Sequence, residues 1–299
     1  MPELPDITVY IEAIRARVVD RPLETVLIQT PFLLRTVEPK LDAFIGKPVR
    51  TVDRLGKRIV LGFDDELFIV LHLMIAGRLH WIPAGKKGLK KSDLAAFGFP
   101  NGWLTLTEAG SKRRASLSLV HGRDAIATID RGGLEVLDAT PEQFAARLRS
   151  ENHTLKRSLT DPRLFSGIGN AYSDEILHRA RMSPVKLTSR LTDDEVAVLF
   201  AATVATLREW TDRLRTDARG EFPEKVTAFR PEMAVHGKYR QPCPVCGSPV
   251  QRIRYADNET NYCATCQTEG KLLADRALSR LLGQDWPKSL DEMDERLQA

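Results

Sequence analysis

No run in this sequence of 299 residues approaches the roughly 18 consecutive apolar residues that a membrane-spanning helix needs. A basic and then apolar leader is missing too, because the chain starts Met1-Pro2-Glu3-Leu4-Pro5. These absences predict a cytoplasmic protein with no membrane partner. Charge of one sign is not in large excess: 44 Lys and Arg against 40 Asp and Glu leave +4, so the distribution of charge, not its sum, has to mark a polyanionic partner. Repeats and low-complexity segments do not occur. What is there is ordinary for a globular protein, 42% hydrophobic and 28% charged residues, which excludes disorder. At about 150 residues per domain, the length excludes a small stapled scaffold and predicts two domains, or two and a small module.

Cysteine is confined to four positions, Cys243, Cys246, Cys263 and Cys266. Two CxxC knuckles at this spacing can place four thiolates tetrahedrally around one Zn2+, with room between them for a β-hairpin. Gly247 and Asp257-Asn258 supply turn residues, and Val250, Ile253 and Tyr255 supply strand material. Two disulfides or a redox pair would use the same residues, but a cytosolic chain disfavours both. Four thiolates leave no open position for water, so the expected zinc is single and structural.

The periodicity divides the chain. Ile7, Tyr10, Ile11, Ile14 and Val18 recur at helical spacing and predict a helix over 5–19. From Thr25 onward short β-rich runs follow: 25–29, 58–63, 67–73, 103–107, 116–120 and 125–130. Gly, Pro and Asp punctuate them, as in a sandwich or barrel. Gly85, Lys86, Lys87, Gly88, Lys90 and Lys91 read as an exposed basic loop, either solvated surface or a binding element. Near Asp138 the pattern turns helical, with helices predicted over 141–149, 154–159, 172–180 and 192–213, the last opened by a capping-box pattern at Thr192 to Glu195. Residues 217–233 read as a loop, and 271–282 as a helix before an acidic tail. The resulting division is 1–138, 139–235, 236–270 and 271–299.

Two segments carry candidate chemistry. Residue 2 is small, so Met1 is expected to be removed, leaving Pro2 as a free secondary amine. An α-amino group titrates near pH 8, at about 7.7 to 8.0, and the positive end of the first helix lowers it further. Such an amine can attack a carbon and form an iminium, with Glu3 beside it as general acid and base. A rigid helix entry explains a Pro-Glu start equally well. The second segment, Gly167-Ile168-Gly169-Asn170, joins two helical stretches by a turn whose backbone can approach a ligand closely. Amides at the following helix start favour an anion such as phosphate. A tight interhelical turn with Asn170 as cap is the alternative.

Taken in order, Pro2-Glu3-Leu4-Pro5, the lysine of the strand segment Leu55-Gly56-Lys57-Arg58, His72-Leu73-Met74-Ile75-Ala76-Gly77, Gly167 through Glu175, and the four-cysteine ribbon ending Tyr262-Cys263-Ala264-Thr265-Cys266-Gln267 resemble the formamidopyrimidine-DNA glycosylase and endonuclease VIII family. The resemblance covers residues 2 to about 267. It implies an α+β protein: an N-terminal β-sandwich with flanking helices, then a helical domain with a helix-two-turn-helix and a zinc-ribbon finger, DNA lying in the cleft between them. It further implies excision of a damaged base and cleavage of the abasic site by β/δ-elimination, a monomer acting on damaged or abasic DNA. Pro2 would be the Schiff-base nucleophile at the sugar C1', Glu3 the acid that helps open the sugar, and Lys57 and Asn170 phosphate ligands. His72 and Ile75 would lie in the segment that enters the duplex. Everting the nucleotide costs a few kcal/mol, less for a damaged base.

Several positions depart from the family pattern. Asn258 stands where the family carries an arginine at the hairpin tip, and Ile75 stands where it usually carries methionine. The loop that fills the void under the everted base is replaced by Glu108-Ala109-Gly110-Ser111-Lys112-Arg113-Arg114, in which Arg113 or Arg114 can still meet the orphaned base. Residues 271–299 extend past the usual end. The leading reading is a bifunctional glycosylase and abasic lyase. The alternative is a non-catalytic binder of damaged DNA or DNA structure on the same scaffold, with a zinc-ribbon RNA binder more remote. The Pro2-Glu3 pair favours the enzyme, because a pure binder has no use for a free amine.

Overall fold

The fold is that of a computed structural model, which describes residues 1–86, 90–109, 113–224, 226–255 and 258–292, with the backbone alone at 255 and 276–278. Lys87 and Gly88 of the basic loop, Gly110 to Lys112, Asp257 and the tail beyond residue 292 lie outside the described residues. The chain forms two compact units: 1–133 with 208–228, and 134–207 with 229–299. Among the described residues no helix is long and apolar enough to cross a membrane.

The first unit opens with α1 (Leu4–Val18), whose Ile7, Tyr10, Ile11 and Ile14 are buried as their spacing predicts. Eight strands follow: β1 (Thr25–Ile28), β2 (Val49–Leu55), β3 (Arg58–Phe63), β4 (Leu67–His72), β5 (Gly77–Pro83), β6 (Asp93–Phe99), β7 (Gly102–Glu108) and β8 (Ser116–His121). They form two antiparallel four-stranded sheets, ordered β1-β6-β7-β5 and β2-β3-β4-β8. Both sheets feed one core, with Leu61, Ile69, Leu71 and Leu117 from one, Leu79, Phe97, Leu104 and Leu106 from the other. The sheets, with α1 packed into their core, make the expected sandwich. Phe222 and Val226 enter the same core from the segment after α6.

One run read as a strand is a helix. Residues 125–130 belong to α2 (Arg123–Ile129), which starts at Gly122, a residue with φ +90°. Ala125, Ile126 and Ile129 recur at helical spacing and pack on Val60, Val70 and Val120 of the second sheet. Their β-branched composition masked that spacing. Lys57, expected in a strand, lies instead in the two-residue turn Gly56-Lys57 between β2 and β3, where Gly56 supplies φ +62°.

The second unit holds α3 (Pro141–Arg149), α4 (Leu155–Thr160), α5 (Asn170–Arg179) and the first part of α6 (Asp193–Ala218). Thr140 and Gln143 cap α3 reciprocally, and Thr192 and Glu195 do the same for α6. β9 (Val250–Tyr255) and β10 (Asn258–Cys263) form the ribbon hairpin, with α7 (Ala264–Thr268) after it. The helix expected over 271–282 is shorter, α8 (Arg276–Leu282), because Lys271 and Leu272 pair with the returning chain instead.

Candidate functional site

In the first unit the chemistry gathers at the start of α1. Pro5 lies in the first turn, and Glu3 and Asp6 make a capping box in which the Glu3 amide donates to Asp6 Oδ2 at 3.0 Å. Both carboxylates are buried, each 2% exposed, where the positive end of the helix favours them. Burial pushes the amine of residue 1 below its ordinary value of 8.0; Glu3 and Asp6 oppose that shift, while Arg78 and Lys57 reinforce it. Pro2 is buried and Lys57 half-buried. An amine, two carboxylates and two cations therefore share one electrostatic neighbourhood.

Arg78 carried no sequence signal, and its place follows from a turn. Gly77 donates its amide to the Leu73 carbonyl at 2.9 Å, and a Cβ on Gly77 would come 2.3 Å from that oxygen, so the turn needs glycine. Arg78 Nη1 donates to the carbonyls of Gly77 at 2.6 Å and Ile75 at 3.3 Å. Met74 adopts φ +51°, and Ile75 is left 54% exposed at the crest. His72 closes β4 opposite Arg58 of β3 and Ser116 of β8. Burial, then Arg58 and Lys57, lower its pKa to about 4, so it is a neutral imidazole at physiological pH. Arg113 and Arg114 are exposed, and the buried Glu108 carboxylate accepts the amides of Arg114 and Ala115 at 2.9 to 3.0 Å.

In the second unit Gly169, not Asn170, takes the cap position of α5, and Asn170 is the first helical residue. The Asn170 side-chain amide donates to the Glu259 carbonyl at 2.7 Å, and the Asn170 main-chain carbonyl accepts from Lys156 Nζ at 2.6 Å. Lys156 also reaches the buried Asp174 carboxylate at 2.5 Å, whose other oxygen meets His236 Nδ1 at 2.8 Å. Glu175 accepts the amides of Ala234, Val235 and His236 at 2.8 to 2.9 Å. This buried network, which sequence spacing does not reveal, fixes the α5 entry against the segment leading to the ribbon.

The four cysteine sulfurs lie within 4.8 Å of one another, with Cys243 to Cys266 at 4.0 Å and Cys246 to Cys263 at 3.4 Å. A tetrahedral site with zinc–sulfur bonds of about 2.3 Å has sulfurs about 3.8 Å apart, so the cluster fits one structural zinc. His178 Nε2 stands 3.2 Å from Cys243 Sγ, an outer contact that orients the ligand. Asn258 is exposed and begins β10 opposite Tyr255, so it flanks the hairpin loop and does not form its tip.

A sandwich whose amino terminus lies beside two buried carboxylates, and a helical unit bearing a four-thiolate ribbon, define a two-unit protein with a structural zinc site, and comparison with known proteins supplies its family. The formamidopyrimidine-DNA glycosylase N-terminal domain matches residues 1–168, the formamidopyrimidine-DNA glycosylase H2TH domain 135–217, and the zinc finger found in FPG and IleRS 240–268. The chain belongs to the formamidopyrimidine-DNA glycosylase family. It is 30% identical over 282 residues to a formamidopyrimidine-DNA glycosylase of Desulforamulus reducens, covering 89% of this chain and 99% of that one. An uncharacterized formamidopyrimidine-DNA glycosylase-like protein of Mycobacterium tuberculosis is 38% identical over 150 residues, 50% of this chain and 93% of its own. The fold matches that of Lactococcus lactis FPG, solved with Fapy-dG-containing DNA, at a TM-score of 0.78 and 23% identity, covering 89% of this chain and all of that one.

Proposed function

We propose that this protein is a bifunctional DNA glycosylase and abasic lyase of base-excision repair. The observation that carries the reading is the amino terminus: the half-buried amine of residue 1, held below its ordinary pKa by burial, with Pro2 and the Glu3 carboxylate buried beside it and Arg78 and Lys57 within its field. Removal of Met1 turns the Pro2 nitrogen from a tertiary amide into a secondary amine in that surrounding. The neutral amine attacks C1' of the damaged nucleotide, the bond from C1' to the base breaks, and the base leaves with the proton that the attacking nitrogen gives up. Glu3 supplies the proton that opens the sugar at its ring oxygen, and the nitrogen lone pair gives an iminium at C1'. Loss of the C2' proton then expels the 3' phosphate by β-elimination, a second elimination expels the 5' phosphate, and water releases Pro2. Lys57 and Asn170 bind phosphates flanking the lesion, while Ile75 and Arg113 or Arg114 occupy the vacated space. His72 contributes a hydrogen bond and no charge. The zinc ribbon folds the hairpin and takes no chemical part.

Sodium borohydride reduction of the mixture of protein and abasic duplex tests the reading. A covalent adduct on the N-terminal peptide is the expected result. Tight binding of abasic duplex without any adduct would favour the non-catalytic binder.

A further inference from the structure

The match to the Desulforamulus protein uses 99% of that chain but 89% of this one, and the zinc-finger match ends at residue 268. Residues 271–292 are nevertheless built into the ribbon. The Leu272 amide donates to the Lys288 carbonyl at 2.9 Å and the Leu290 amide to the Gly270 carbonyl at 3.3 Å, closing the segment on itself. Leu272, Leu273 and Leu290 pack on Ile253, Tyr262 and Ala264, and the Leu273 amide donates to Tyr262 Oη at 2.8 Å. A two-stranded hairpin alone is marginal in water, and this segment covers one of its faces.

The register assigns the other face. Arg252 pairs with Asn261 and Arg254 with Glu259, so alternation puts these four on the side opposite Ile253 and Tyr262. Arg252 is committed, its guanidinium 4.1 Å over the Tyr239 ring and 3.7 Å from Glu259. Arg240 approaches the same ring at 5.3 Å. Arg254 differs: it is exposed, and its guanidinium makes no ion pair among the described residues. Its backbone is nevertheless held, because its amide donates at 2.8 Å to Asp275, a carboxylate only 2% exposed. Burying a carboxylate is costly, and this one is spent in part on the edge-strand amide of an exposed arginine. Glu259, directly across the hairpin from Arg254, is the residue whose carbonyl accepts from Asn170.

We propose that Arg254 is a backbone-phosphate ligand of this chain and that Asp275, in the C-terminal segment, is its positioning residue. The proposal rests on the DNA reading above and adds a contact beyond Asn170. A guanidinium meets a phosphodiester through two parallel charge-assisted bonds, and its geometry is worth fixing through the main chain.

The test is fluorescence anisotropy with a duplex carrying a stable abasic analogue, across about 50 to 200 mM salt, on variants that retain one zinc per chain. Arg254→Gln should lower the slope of log affinity against log salt by about 0.9, so that its deficit narrows about threefold over that range. Arg254→Lys should keep the slope. Asp275→Asn keeps an acceptor for the amide and should match wild type, whereas Asp275→Ala should weaken binding in the wild-type background and add nothing to Arg254→Gln. An unchanged slope for Arg254→Gln, with salt-dependent binding by wild type, overturns the proposal alone. Equal losses from Asp275→Ala in both backgrounds overturn the positioning role. Salt-independent or absent binding by wild type overturns the DNA reading and this proposal together.

Discussion

The side-chain amide of Asn170 reaches the main-chain carbonyl of Glu259 at 2.7 Å, tying the first turn of α5 to β10. Lys156 holds the main-chain carbonyl of the same Asn170 at 2.6 Å, so the residue is fixed at its backbone as well as at its side chain. Asn170→Ala removes one hydrogen-bond donor, worth about 1 kcal/mol, and should weaken binding to an abasic-analogue duplex about fivefold through the loss of a phosphate donor. Asn170→Asp should be worse, because it sets a carboxylate oxygen against a carbonyl and then against a phosphate. Anisotropy titrations of both variants check the order; equal affinities for Asn170→Asp and wild type would remove Asn170 from the interface.

Pro2 and Glu3 separate by function. An N-terminal tag left in place, or Pro2→Gly, should lower abasic-site cleavage by orders of magnitude, because an activated nucleophile is lost or altered. Glu3→Gln should bind abasic duplex as wild type does while losing base excision. Only the neutral Pro2 amine can attack carbon, so borohydride-trapped adduct should increase with pH and level off once that amine is deprotonated. Trapping that does not change with pH would place the nucleophile elsewhere.

His72 gives a stability prediction with a fixed sign. Burial, aided by Arg58 and Lys57, holds its folded pKa at about 4, below the ordinary 6.5. The unfolded chain therefore takes up the proton first, and stability present above about pH 6.5 is lost as pH falls toward 4. His72→Gln removes this one contribution. Its melting temperature should fall less than that of wild type between pH 7 and pH 5, by about 2 to 4 °C for each kcal/mol of linkage. Parallel melting curves for the two proteins at both pH values check this, and identical falls would show that His72 takes up its proton in the fold as readily as in the unfolded chain.

The legible parts of this fold were those in which one periodicity ruled. β3 is readable at its observed bounds because Arg58 to Phe63 is a short apolar run between turns, and α3 because Thr140-Pro141 and Gln143 announce a cap. β6 is hidden because it is buried along its whole length, so Ala95, Ala96 and Gly98 show no alternation. At the site, Pro2, Glu3 and the four cysteines sit in local motifs. Arg78, Asp174 and Glu175 act through contacts that sequence spacing cannot display, with Arg78 placed by the Gly77 turn and Glu175 by amides about 60 residues away. The C-terminal segment is opaque for the same reason, since Leu272, Leu273 and Leu290 are meaningful only against Ile253 and Tyr262.

Asn258 remains the position where the ribbon departs most plainly from the family arginine. It pairs with Tyr255 and is exposed, whereas Arg254 pairs with Glu259, so the two side chains leave opposite faces of the hairpin. An arginine at 258 would therefore not compete with Arg254 for one phosphate. Asn258→Arg should tighten binding to abasic-analogue duplex at low salt and steepen the salt slope by about 0.9, the advantage fading as salt rises. Because the faces differ, combining Asn258→Arg with Arg254→Gln should return the slope to that of wild type, since one phosphate is newly neutralised and another released. A salt series on the two single variants and the double variant decides the matter. If Asn258→Arg alone leaves the slope unchanged, the phosphate near the tip is already held by another side chain, and the ribbon has not lost the phosphate grip that its asparagine suggests.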